Sequence, residues 1–361
     1  MLEHVWKQRA IPDVMRLRNG GRVQNQSQWR ERREEILDLL RREIYGYSPK
    51  APENVRGILM ESEESAFAGK ARHDTVSLEF ETPEGSFCFP VHMLVPKKVK
   101  RPAVFLHIAF RPDIPDRYLP VEEILDEGYA IANFCYEDVS PDKEDGFATG
   151  LPAAYPRDPQ TGWGKISVWA WAASRVMDYL CTREDVDSRR VAVIGHSRLG
   201  KTALWCGAQD ERISMVVSND SGCAGAALFR QKTGEHIEFM SKVIPYWFCG
   251  NYCKYAGKEN SLPFDQHFLL ALAAPRALCV GSAAEDAWAD PWSEFLSCAA
   301  ASEVFELLGQ RRLQAPEERP RAGQAFLDGK IAYQIREGSH FFSRTDWLRY
   351  IEFRKLHHDV F

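Results

Sequence analysis

Residues 191–208 read VAVIGHSRLGKTALWCGA, and the reading of this stretch decides the fold. VAVIG is a short, continuous apolar run of the kind that forms a buried strand, and the segment after Ser197 has the character of a helix start. A strand that turns sharply into a helix holds a serine at the strand's C-terminal edge with its hydroxyl open to a substrate. Gly195 permits close packing at the turn, and the backbone N–H of Arg198 would face a developing oxyanion at the helix N-terminus. In the usual form of this turn a glycine follows the serine by two residues. Here Leu199 holds that position and Gly200 comes one later. The plainer reading, a serine that only caps a helix, has to be weighed against what the rest of the chain supplies.

Outward from this turn, short apolar strands alternate with helical stretches. The strands are expected at 103–108, 129–136, 191–195, 214–218, 277–281 and 331–335, and the helices at 165–180, after Ser197, at 292–308 and at 345–357. Residues 74–80 and 87–95 precede them as an antiparallel pair. Residues 28–44 place Ile36, Leu39, Leu40 and Ile44 on one helical face. An antiparallel start followed by strand–helix alternation predicts an α/β fold, a mostly parallel sheet with helices on both faces. One domain over 1–361 is expected, with an N-terminal helical extension over 1–70. The aromatic-rich segment 229–265 is too long for an ordinary connection and is expected to form a lid or pocket wall.

The composition narrows the partners. A net charge of −5 over 361 residues, with no Lys/Arg run, points away from nucleic acid. No stretch reaches the roughly 18 apolar residues of a membrane span. The N-terminus lacks the apolar core of a secretory signal. The nine cysteines are odd in number and mostly sit in apolar runs, as expected in a reducing compartment, and a cytoplasmic location follows. Cys249 and Cys253 form one close pair with no second pair or histidine at zinc spacing, so neither a metal nor a cofactor is expected.

A nucleophilic serine needs a base and an acid to orient it, and on this fold the order is serine, acid, histidine. The strand at 331–335 leads to Gly338-Ser339-His340, a histidine on the loop before the last helix. Among the other histidines, His107 sits at a strand end and is expected near the pocket, and His267 begins an apolar helix, where a packed, hydrogen-bonded role suffices. The acid has three candidates. Asp286 and Glu285 follow the strand at 277–281, and Asp220 follows the strand at 214–218.

These residues resemble the glucuronoyl esterases, family 15 of the carbohydrate esterases, and particularly their bacterial branch. The likeness rests on Gly195-His196-Ser197-Arg198-Leu199-Gly200-Lys201, on Asn219-Asp220-Ser221-Gly222-Cys223, on Asp265-Gln266-His267, on Glu285-Asp286-Ala287-Trp288 and on Gly338-Ser339-His340. It accounts for the displaced glycine. The resemblance implies an α/β-hydrolase fold and a serine esterase acting on esters of (4-O-methyl-)glucuronic acid through a Ser–His–Asp triad, without cofactor or metal. It also implies that Arg198 supports the oxyanion and that Lys201, Glu235 and Trp288 meet the sugar. Family members place the acid after either of two strands. Asp286 is preferred because it also occupies the usual α/β-hydrolase position, and Asp220, shorter than the glutamate common at its place, ranks second. The loop Phe110–Pro115 departs from the family pattern. A sugar deacetylase on the same fold and a noncatalytic saccharide-binding relative are the alternative functions. The substrate expected is a small-molecule or oligosaccharide ester.

Overall fold

The computed structural model describes residues 2–315 and 318–357. Its centre is a ten-stranded sheet built from β1 (Val55–Ser65), β2 (Ala71–Thr82), β3 (Gly85–Pro96), β4 (Ala103–Ala109), β5 (Ala130–Cys135), β6 (Asp187–His196), β7 (Met215–Asn219), β8 (Ala277–Ala283), β9 (Ala325–Phe326) and β10 (Ile331–Arg336). The spatial order is β1-β2-β3-β5-β4-β6-β7-β8-β10-β9. The strands from β5 to β10 in that order are parallel, while the β1–β3 meander and β9 are antiparallel at the two ends. The central strands β4, β5 and β7 are buried along their whole length, as a sheet covered on both faces requires.

Helices α1 (Gln26–Leu40), α2 (Lys165–Thr182), α3 (Arg198–Gln209), α4 (Ile237–Val243), α5 (Pro291–Leu307) and α6 (Arg344–Leu356) supply most of the cover. One face packs α1, α2 and α3 through Ile36, Leu40, Trp169 and Trp205, and the other packs α6 through Trp347, Tyr350 and Phe353 against Phe105. The α1 register follows from the sequence, since Ile36 and Leu40 lie on its buried stripe and Ile44 continues it through a short π-helical turn. Ser343 and Asp346 form a reciprocal capping box that starts α6.

The N-terminal region corrects one expectation. Residues 55–65 are not part of a helical extension but form β1, the edge strand of the sheet. Every β1 residue after Val55 is exposed, so the strand has no buried face and shows no alternation for the sequence to reveal. Segment 229–265 contains α4 and three short 3-10 turns. No helix among the described residues is long and apolar enough to cross a membrane.

Candidate active site

The C-terminal ends of β6, β7, β8 and β10 meet at one cleft of about 440 Å³, within the range of small-molecule sites. Ser197 follows β6 and caps α3 with φ 57° and ψ −126°, a left-handed conformation that a side-chain-bearing residue adopts at a cost. The turn is held by the Ser197 amide, which donates to the Asn219 carbonyl at 2.8 Å. A Cβ on Gly195 would lie 2.1 Å from the Leu199 carbonyl oxygen, so only glycine lets the strand pass this close to the helix. The displaced Gly200 has a similar reason. A Cβ there would sit 3.0 to 3.1 Å from Ser221, Asn219 and Ser218, because α3 packs directly on the exit of β7.

His340 reaches the same cleft from the loop after β10. Its Nδ1 lies 2.6 Å from Oδ2 of Asp286. An ionised carboxylate only accepts, so Nδ1 carries the proton and Nε2 is left as the basic nitrogen. Asp286 is nearly buried, and its other oxygen accepts from the Ala289 amide at 3.2 Å. Burial alone would push its carboxyl up, but the hydrogen bond and charge of His340 outweigh that and hold it below the usual range.

Asp220 takes a different place. Its Oδ1 accepts from the Ala283 amide at 2.6 Å, and its Oδ2 lies 3.4 Å from Nη2 of Arg336. A carboxylate oxygen of Asp220 and ring nitrogens of His196 and His340 all lie within 4.8 Å of one another, so both aspartates approach the histidine and Asp286 makes the short bond. Burial, then the charges of Glu294, Asp346 and Asp286, raise the Asp220 carboxyl well above its ordinary value, which disfavours the anion a triad acid must be. Glu285 is exposed, and its amide, not its side chain, ties the loop to Gly338.

Beneath His340 lies His196, its ring centroid 4.5 Å away. His196 Nδ1 is 2.7 Å from Oδ1 of Asn219, whose amide in turn donates to Tyr350. Burial, then the neighbouring His340, lowers His196 to about 3, so it remains a neutral aromatic support at physiological pH. His107 and His267 are buried and hydrogen-bonded, to Asn133 and to the Pro12 carbonyl.

Arg198, at the start of α3, points its guanidinium over Trp247 at 4.9 Å and Phe110 at 5.7 Å. It pairs with Asp142, which also accepts from Trp247 Nε1 at 2.7 Å. Asp142 was not anticipated. It lies on the loop after β5, 56 residues from Arg198, and nothing in its local pattern separates it from the other acids of residues 137–145. Lys201 and Glu235 are both buried and pair at 3.2 Å on the cleft wall. Trp288 stands half exposed at the mouth, edge-on to Phe239 at 5.0 Å. The loops carrying Glu235 and Trp288 are joined by the Glu235 amide donating to the Trp288 carbonyl at 2.9 Å, and a Cβ on Gly234 would meet that carbonyl at 2.4 Å. Segment 229–265 thus contributes Phe239, Val243, Ile244, Tyr246 and Trp247 to the wall.

A second unanticipated residue, Glu294 of α5, lies fully buried behind the cleft. It accepts from the Gly222 amide at 2.9 Å and from Ser282 Oγ at 2.5 Å, and so joins the loop after β7 to the end of β8. Burial, with the charge of Asp286 adding to it, raises the carboxyl to about 7.

Comparison with known proteins places the chain by family and fold. A family model described as "Glucuronyl esterase, fungi" matches residues 86–309. The solved structure of a glucuronoyl esterase from Solibacter usitatus is 36% identical, covers 96% of this chain and 97% of its own, and superposes with a TM-score of 0.88. Carbohydrate esterase MZ0003, from an unknown prokaryotic organism, is 33% identical over 96% of this chain and 89% of its own length. A 4-O-methyl-glucuronoyl methylesterase of Podospora anserina is 28% identical over 83% of this chain and 60% of its own length. The chain belongs to the glucuronyl esterase family.

Proposed function

We propose that this protein hydrolyses esters of glucuronic acid, its 4-O-methyl form included, with Ser197 as nucleophile, His340 as base and Asp286 as the orienting acid. The observation that carries the reading is the 2.6 Å His340–Asp286 contact in the cleft that also holds Ser197. The Ser197 oxygen attacks the ester carbonyl carbon as its proton passes to His340 Nε2, and the carbonyl electrons move onto oxygen. Arg198 and the backbone N–H groups that open α3 stabilise that oxyanion. Collapse expels the alcohol, which takes the proton from His340. A water then gives its proton to His340 and attacks the acyl carbon, which frees the uronic acid and returns the proton to Ser197. No cofactor enters this sequence.

The Lys201–Glu235 pair supports a polyhydroxylated acyl group, because an ammonium and a carboxylate side by side offer donors and acceptors to neighbouring hydroxyls. The half-exposed Trp288 offers an apolar face to a sugar ring. The nine cysteines are all unpaired, three of them exposed, which supports a reducing, cytoplasmic setting. The test is Ser197→Ala, with turnover measured on a methyl glucuronate ester and on acetylated xylo-oligosaccharides. The wild type is expected to favour the glucuronate ester and the variant to lose that activity while keeping its melting temperature. Preference for the acetyl ester would favour the deacetylase reading, and saccharide binding with no turnover by the wild type would favour the noncatalytic one.

A further inference from the structure

A cavity larger than the catalytic cleft lies at the other end of the same strands. It occupies about 610 Å³, and it is reached where β6, β7, β8 and β10 begin, at Arg190, Met215, Ala277 and Lys330. The catalytic groups sit where those strands end. The five residues of β7 at about 3.3 Å each put on the order of 13 Å of sheet between the two sites.

The charge around this cavity is one-sided. Arg276 donates to the carbonyls of Asp210, Ile213 and Leu272. Arg354, nearly buried, donates to the carbonyls of Val104 and Arg190 and stacks on Phe105 and Tyr129. Both cations are thus held in place by neutral partners. The acid on the wall, Glu211, is turned toward Arg33 at 3.5 Å and is mostly exposed. Lys330 is the telling residue. It is 8% exposed, its backbone is pinned by hydrogen bonds to Leu278 and Arg311, and its ammonium has no hydrogen bond or ion pair with any described residue. Burial holds its pKa below the ordinary lysine value, and no carboxylate of a described residue offsets it. Buried charges are as a rule paired, and the ammonium of this largely buried side chain opens onto the cavity instead. Met177, Met215, Pro275 and Ala277 make much of the remaining wall apolar, with Ser188, Ser214 and Gln310 beside them.

We propose that this cavity is a second, noncatalytic binding site for a small organic anion with an apolar body, whose acidic group pairs with Lys330. The inference does not depend on the esterase reading, because the site shares no residue with the catalytic cleft. The apolar wall disfavours a bare inorganic anion or a free sugar acid, and the field of Arg276 and Arg354 disfavours a neutral or cationic guest.

The test uses the whole protein and two fluorescent probes of similar shape, the anion 1-anilinonaphthalene-8-sulfonate and the neutral N-phenyl-1-naphthylamine. The wild type is expected to bind the anion more tightly. Lys330→Met should weaken the anion by roughly 10- to 100-fold, the loss of one charge-assisted hydrogen bond, and leave the neutral probe within about twofold. The same variant should keep wild-type ester turnover, since Lys330 lies outside the catalytic cleft, and melt no lower than the wild type, since the ammonium has no partner among the described residues. Trp288→Ala, at the mouth of the catalytic cleft, should leave anion affinity unchanged. Equal loss of both probes in Lys330→Met, unchanged anion binding in that variant, or loss of anion binding in Trp288→Ala would each overturn the proposal.

Discussion

Exchanging Asp286 for asparagine keeps the size of the side chain but removes the charge that faces the imidazolium formed during catalysis. With Nδ1 and Oδ2 2.6 Å apart, the two charge centres lie about 4 Å from each other, worth about 4 kcal/mol at an effective dielectric of 20. The His340 side chain is 43% exposed, so solvent screens roughly half of this and leaves about 2 kcal/mol. That corresponds to about 30-fold in kcat. The new amide can also turn its NH2 toward Nδ1 and hold the wrong tautomer, which takes the loss toward an upper bound of about 10⁴-fold. Asp220→Asn should cost less than about 5-fold, because its oxygens already serve the Ala283 amide and Arg336 and its carboxyl is raised well above the usual range. The assay is kcat on a methyl glucuronate ester for both variants, with thermal melts to establish that each is folded. A larger loss in Asp220→Asn than in Asp286→Asn would refute the reasoning and transfer the acid to the end of β7.

Arg198→Gln should lower kcat by about 10²-fold with KM changed only a few-fold, as expected for a group that meets charge developing in the transition state. Asp142→Asn should have a smaller effect of the same kind, since it removes the anchor of the guanidinium, and a change confined to KM would count against both. Lys201→Met should raise KM for glucuronate esters by roughly 10- to 100-fold and barely affect p-nitrophenyl acetate; an equal effect on the two substrates would remove Lys201 from sugar binding. Glu294 gives a pH prediction. Its carboxyl stands at about 7 in the fold against 4.5 in the unfolded chain. The stability tied to its proton is therefore full below about 4.5 and is lost as pH rises through about 7. That rise amounts to about 3 kcal/mol, so Glu294→Gln should gain roughly that much on the wild type between pH 4.5 and pH 8 in urea unfolding. A stability difference that stays flat with pH would show that the carboxyl does not titrate in this range.

Much of the parallel sheet was legible because its strands are short, apolar and separated by helices with a clear buried stripe. The strand expected at 331–335 is found at Ile331–Arg336, and the helix expected at 292–308 at Pro291–Leu307. The edge strand β1 was not legible, because it is solvated on both faces and its sequence has no reason to alternate. Asp142 and Glu294 escaped notice for another reason. Each acts through residues remote in sequence, Arg198 and Trp247 for the first and Gly222 for the second.

By itself the sequence determined the turn at Ser197, because strand, glycine, serine and helix start are contiguous there and their preferences are local. It also placed His340, since the loop after a given strand of a parallel sheet opens at one edge. It could not choose the acid. Asp220 and Asp286 leave neighbouring strands within three residues of their ends, and either could face the histidine. The tertiary structure decides between them by what else lies within hydrogen-bonding distance. The Ala283 amide and Arg336, arriving from β8 and β10, occupy Asp220, and Asp286 is left with an oxygen free to meet His340. That contest between distant partners is set only when the sheet has assembled.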